Sequence, residues 1–184
     1  MAAAPRRWAA ELLHIWFHAL KPADWYRGGR RVDALLKDRF ERDLLALWPR
    51  PAHEFLGSAD MALAGVLLFD QVPRNIYRDT RRAFAFDPLA RSITRAAIGS
   101  GLDAGMTRQQ RQFLAMPLMH SEHISDQRWS LHYFAELGRN YGFPFARSHH
   151  RMIARFGRFP HRNAVLGRTS TPAEKRAVKA GFSW

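Results

Sequence analysis

Apolar residues recur at three- and four-residue intervals along almost the whole chain. Trp8, Leu12, Ile15 and Trp16 form one stripe, Val32, Leu36, Phe40, Leu44 and Leu47 a second, and Leu89, Ile93 and Ala97 a third. That spacing gathers side chains on one face of an α-helix, whereas the strict alternation of a half-buried strand is hard to find anywhere. The pattern predicts helices near residues 6–20, 31–47, 59–70, 88–99, 108–116, 121–137, 144–156 and 172–180. The longest apolar run, Met61 to Phe69, suits a helix buried in a core and falls far short of the roughly 20 residues that cross a bilayer.

Start and stop signals agree with this period. Thr171-Pro172-Ala173-Glu174 is a full capping box with proline at the first helical position, and Thr107 with Gln110 offers a second box. Asp87-Pro88 places a capping side chain before another proline, and Gly101, Gly138 and Gly157 stand where helices should end. No segment reads as a linker, and connections this short favour antiparallel neighbours. The expected architecture is all-α, one helical domain over residues 1–184.

Composition narrows the chemistry. The 184 residues are 47% hydrophobic with 13 Phe and 6 Trp, ample for a folded core. The absence of cysteine excludes disulfides, thiolate nucleophiles and Cys-ligated zinc or iron–sulfur centres. Arg6-Arg7 followed by Trp8-Ala9-Ala10 has the outline of an export signal, but Glu11 and His14 interrupt it, so a cytoplasmic chain without membrane contact is expected. Net charge is +13, and residues 127–184 hold eleven Arg or Lys against Glu136 and Glu174, so +9 of it lies there. Such a field attracts nucleic acid, anionic lipid or phosphorylated metabolites, or is simply a solvated surface. The excess of Arg over Lys suits forked recognition of anions, and equally a biased genome composition.

Three segments carry more polar residues than packing requires. They are Asp70-Gln71-Val72-Pro73-Arg74-Asn75, His120-Ser121-Glu122 with Asp126-Gln127, and Arg158-Phe159-Pro160-His161-Arg162-Asn163 with Arg168. The first and third share the order Pro, Arg, Asn, so each is expected to open a helical turn with an arginine beside exposed amides, an arrangement that suits an anion. The simpler alternative is that proline ends one helix and starts the next while these side chains pair with one another.

Standard catalytic patterns are missing. Ser121 has His120 and Glu122 as neighbours, but adjacent helical residues diverge, and no nucleophile elbow is present. His120 and His123 offer two nitrogens three residues apart, which His149 or His161 would have to complete to make a metal site, and no HExxH supports one. Glu11-Leu12-Leu13-His14 is a lone Glu-x-x-His, where di-iron bundles need two. His149 falls on the apolar stripe of Phe145, Met152 and Phe156, where a hydrogen-bonded core histidine is the ordinary occupant. Trp8, Trp16, Trp48 and Phe113 sit at core-like spacings rather than on a base-stacking face. There is no glycine-rich phosphate loop and no paired-carboxylate signature, so nucleotide and glycosidase readings lack a motif and any cofactor is unknown from the sequence.

Nearly the whole chain nevertheless resembles the bacterial proteins of domain of unknown function family 924. The resemblance rests on Trp16-Phe17, Trp25, Asp33, Asp70 to Asn75, Ala83-Phe84 and Asp87. It continues through Met116-Pro117-Leu118, His120-Ser121-Glu122, Gln127 and His149, then Phe156 to Asn163, Leu166-Gly167-Arg168, Ser170-Thr171 and Glu174. The chain departs from that pattern at Val72, Met119 and His123. The resemblance implies a tetratricopeptide-like arrangement of antiparallel helices and supplies no activity.

Three functional readings follow. In the first, the segments converge on a pocket for a small anionic molecule, phosphate or carboxylate. There Asp70, Gln71, Arg74, Asn75, Ser121, Gln127, His149, Arg158, Arg162, Asn163 and Arg168 bind, while His120, Glu122 and His161 handle protons. In the second, a helical groove takes a peptide or protein partner, an analogy from fold alone. In the third, the basic last third binds nucleic acid without sequence preference.

Overall fold

A computed structural model of the chain describes residues 7–182, and among them there are helices and connections but no strand. Helix α1 (Arg7–His14) widens into a π turn (Ile15–Ala19), followed by the short α2 (Pro22–Arg27) and the long α3 (Arg30–Leu47). Helix α4 (Ala59–Val66) runs through a second π turn (Leu67–Gln71) straight into α5 (Val72–Ile76). Then come α6 (Asp87–Gly99), α7 (Arg108–His120), α8 (Ile124–Leu137), α9 (Phe143–Phe156), α10 (Asn163–Leu166) and α11 (Pro172–Lys179). Of the first predicted helix, residue 6 lies outside the described residues.

The apolar run around Met61–Phe69 is the axis of the molecule. Leu63, Val66, Leu67, Leu68 and Phe69 are fully buried, because α4 is surrounded by α1, α6 and α7. Gly65 lets its neighbours close in: a Cβ there would stand 3.1 Å from the Phe55 ring and 3.3 Å from Ile93. Around this axis lies the largest apolar cluster. A second joins α7, α8 and α9 through Ala115, Met119, Tyr133, Phe134, Leu137 and Ala146, and a third joins α9 to α11 through Met152, Ile153, Phe159 and Ala177. No described helix is long and apolar enough to cross a membrane.

The stripes that predicted the helices are the buried faces: Leu12 and Trp16, then Val32, Leu36, Phe40 and Leu44, then Ile93 and Ala97. Both capping boxes form, at Thr107 and at Thr171. Three local expectations are corrected, and one helix is added. Pro73 does not end a helix: the preceding turn widens so that the Val72 amide reaches back to the Leu67 carbonyl, and the helix continues past a residue with no amide hydrogen to donate. Pro117 sits inside α7, which runs on to His120 because Leu118 and Met119 are buried. Trp48 is half exposed, its ring edge-on to Phe86 at 6.1 Å. Helix α2, too short to show a period, went unpredicted; it is fixed by the Trp25 indole, which donates to the Trp16 carbonyl at 2.8 Å.

Candidate functional site

The widened turn before α5 leaves its carbonyls to side chains. Arg74 donates to the Asp70 carbonyl at 2.7 Å, and the Asn75 amide to that of Gln71 at 2.9 Å. Asp70, on the same turn, is completely buried, so its carboxylate has to be satisfied from within the protein. Arg74 lies 3.0 Å from Oδ1, the Gln71 amide donates to Oδ2, and His120 Nδ1 stands 2.8 and 3.0 Å from the two oxygens. Burial pushes the Asp70 pKa up, but Arg74 and His120 together outweigh it and hold the group well below the usual carboxylate range. With the carboxylate ionised, His120 donates through Nδ1, and its Nε2 carries the lone pair.

His120 is the last residue of α7, and the chain is pinned on both sides of it. The Gln127 amide on α8 donates at 2.7 Å to the carbonyls of both Met119 and Ser121. Glu122 accepts two bonds of 2.9 Å from Arg168 and one of 2.8 Å from the Phe159 amide, tying this corner to the segment that carries His161 and Arg162. Those bonds outweigh the effect of burial and lower the Glu122 pKa.

Arg162 is the unusual cation. Its guanidinium is buried between the rings of Phe84 and Phe159, 4.6 and 4.5 Å from their centroids. Its ion pair with Asp87 is long, 3.6 Å, and that carboxylate already takes two bonds from Arg74 at 2.9 and 3.0 Å. Arg162 Nε has no hydrogen-bond partner among the described residues. Burial first, then the charge of Arg74, lower its pKa to about 10, so it remains cationic at neutral pH.

Arg74, His120 and Arg162 line a cavity of about 400 Å³ with Gln71, Asn75, His149 and His161, and with Trp25, Tyr26, Phe84 and Met116 on its apolar side. A second cavity of about 300 Å³ adjoins it, sharing Phe84, His120 and Arg162 and adding Ser121, Glu122, His123 and Arg168. Burial lowers the pKa of all three imidazoles: that of His149 to about 3, helped by His120, and that of His161 to about 4, helped by Arg162. The inner cluster therefore sets the ionised Asp70 against Arg74 and Arg162, with three neutral histidines beside them at neutral pH.

The three polar segments do converge, though not every residue in them reaches the cavities. Arg158 pairs with Glu174 at 2.7 and 3.0 Å and lines neither. Asn163 is buried, with its amide on the Ser170 hydroxyl at 3.0 Å. Gln127 is spent on the carbonyls of Met119 and Ser121, and Ser121, though it lines the second cavity, gives its hydroxyl hydrogen to Asp126 at 2.7 Å. No group of three or more His, Asp or Glu among the described residues has the geometry to hold a metal ion.

A family model described as bacterial protein of unknown function (DUF924) matches residues 12–181. The chain belongs to this family. A solved structure of a protein of unknown function from Agrobacterium tumefaciens is 36% identical, with 94% of this chain and 97% of that one covered and a TM-score of 0.88. No curated protein matches. Every residue that lines the two cavities falls within the DUF924 match.

Within this DUF924 chain, reading the sequence for chemistry missed Asp87, Phe84 and Phe159 as parts of the site. Asp87 was legible only as a cap, and it heads α6 as expected, but its carboxylate is drawn to Arg74 and makes no capping bond. Phe159 stands close to Arg162 inside the third polar segment, but nothing local marks Phe84, far away in sequence, as the ring on the other side of that arginine.

Proposed function

We propose that this protein binds a small anionic molecule, bearing a phosphate or carboxylate, in the cavity between α2, α5, α7, α9 and α10. We further propose that His120, held by Asp70, exchanges a proton with it. Arg162 carries this reading. A guanidinium withdrawn from water, sandwiched between rings and left with one long, shared ion pair retains donors that an oxyanion would satisfy. The Asp70–His120 pair supplies the proton chemistry: the carboxylate fixes the tautomer and supports the imidazolium once Nε2 has taken a proton.

The test is thermal unfolding of the full chain against phosphorylated and carboxylated metabolites. Ligand at about 100 times its dissociation constant adds roughly 2.7 kcal/mol. In a chain of this size that is a rise in Tm of roughly 5–10 °C. Arg162→Lys keeps the charge but loses the planar fork, and is expected to abolish the rise, while His120→Asn keeps most of it. Failure of every anion to stabilise, with Arg162→Lys itself strongly destabilised, would identify Arg162 as a structural cation and end this reading.

Binding should also take up a proton. Burial and the two arginines hold the His120 pKa below its usual value. An anion cancels the arginines' field and raises it. Affinity is therefore expected to increase as pH falls from about 7 toward 5, up to tenfold per pH unit for one proton. Calorimetry in two buffers of different ionisation enthalpy measures the uptake directly, and a pH-independent affinity would remove His120 from the site.

A further inference from the structure

Another concavity shares no lining residue with that site. It is an open groove of about 870 Å³ between α8 and α9, rimmed by Arg128, Arg147, Arg151 and Arg155. All four arginines are exposed, and none has a carboxylate partner among the described residues. Near this face stands Glu136, which is engaged with His132 at 3.3 Å and with Arg111 at 4.0 Å. The floor is apolar and shallow: Leu131 and Ala135 on α8 face Ala154 on α9.

We propose that this groove docks an acidic amphipathic helix of a protein partner. Arg147, Arg151 and Arg155 recur every fourth residue, a row with about 6 Å between successive positions along α9. A helix lying along the groove with Glu or Asp at every fourth position repeats at the same interval, so each carboxylate meets a guanidinium. The two alanines leave a trough that the Leu or Phe stripe of such a helix fills, the usual manner of helix-in-groove recognition. A nucleic acid would satisfy the arginines and leave the apolar trough empty, and a flat lipid surface does not enter a groove.

The measurement is fluorescence anisotropy of the full chain with a synthetic helix-forming peptide bearing Glu at every fourth position and Leu on the adjoining stripe. The comparison ligands are the same peptide with Leu replaced by Ser, and an oligothymidylate of equal charge. The expected order is the Leu peptide first, with at least tenfold weaker binding of the Ser peptide and a loss of at least tenfold in Arg151→Glu. Because Arg151 is exposed and unpaired, that variant should unfold at the temperature of the parent protein. Equal binding of the Ser peptide would reduce the groove to non-specific anion attraction. Tighter binding of the oligonucleotide would make it a nucleic-acid surface, and no binding at all a solvated face. Each of these outcomes overturns the proposal, and none of them touches the anion cavity.

Discussion

A carboxylate with no exposure to water makes its neighbours interdependent. Asp70 is the partner that Arg74 and His120 share, so replacing it by asparagine keeps the shape and removes the charge that both lean on. Breaking a buried pair from one side typically costs about 3–5 kcal/mol. Asp70→Asn is therefore expected to lose stability on that scale in urea unfolding. A loss below about 1 kcal/mol would mean that Asp87 alone keeps Arg74 in place. At this scale the sequence was informative about residue type and uninformative about pairing. Polar groups at helix ends marked Asp70, Arg74, His120, His161 and Arg162 as chemically loaded. That Arg158 pairs with Glu174, and that Asp87 serves Arg74 and not its own helix, depends on how distant segments meet, which no local pattern encodes.

Among the elements, the end of α7 decides where His120 stands. The end predicted near residue 116 comes too early: proline's missing donor at Pro117 argues against helix while the burial of Leu118 and Met119 argues for it, and burial wins. The corner is held by Gln127, whose amide bridges the two carbonyls on either side of His120. Gln127→Leu fills similar volume and leaves both carbonyls without that donor, which is expected to cost about 1–3 kcal/mol in urea unfolding. It should also weaken anion binding with no change of charge in the cavity. A fully stable variant that binds normally would show that α7 ends there unaided. The long amphipathic helices were legible to within a few residues because their burial follows the helical period. Helix α2 and both π turns were not, since a single turn is too short to show one.

Across the whole molecule, the cavity wall and the apolar clusters share residues: Trp25 and Met116 line the cavity and pack against the main cluster, and Phe159 of the third lies edge-on to His149, so its histidines are sheltered by the same packing that stabilises the fold. The unfolded chain protonates them at ordinary values, whereas the folded chain holds His161 to about 4 and His149 to about 3. Between about pH 6.5 and those values the unfolded state binds more protons, so stability is fully present above that window and is lost as pH falls through it. The slope is about 1.4 kcal/mol per pH unit for each imidazole. Thermal unfolding between pH 7 and 4 should show this decline, and His161→Gln should flatten it; an unchanged slope in that variant would mean that His161 is accessible to protons in the folded state. The helical class and the buried axis were readable at this scale because they follow from patterning alone. The meeting of three remote segments around one arginine was not, being a property of the packed chain. The π turn at residues 67–71 has a bearing on how the core and the cavity coexist. One extra residue in a turn offsets everything after it by about 100° around the helix axis. Removing any single residue there would restore a regular helix, and would bring either Leu63 and Val66 into register with the core or Asp70 and Arg74 into register with His120, but not both. The insertion sets the angular phase between a stretch of chain devoted to packing and one that carries charge, allowing a single continuous helix to serve the two.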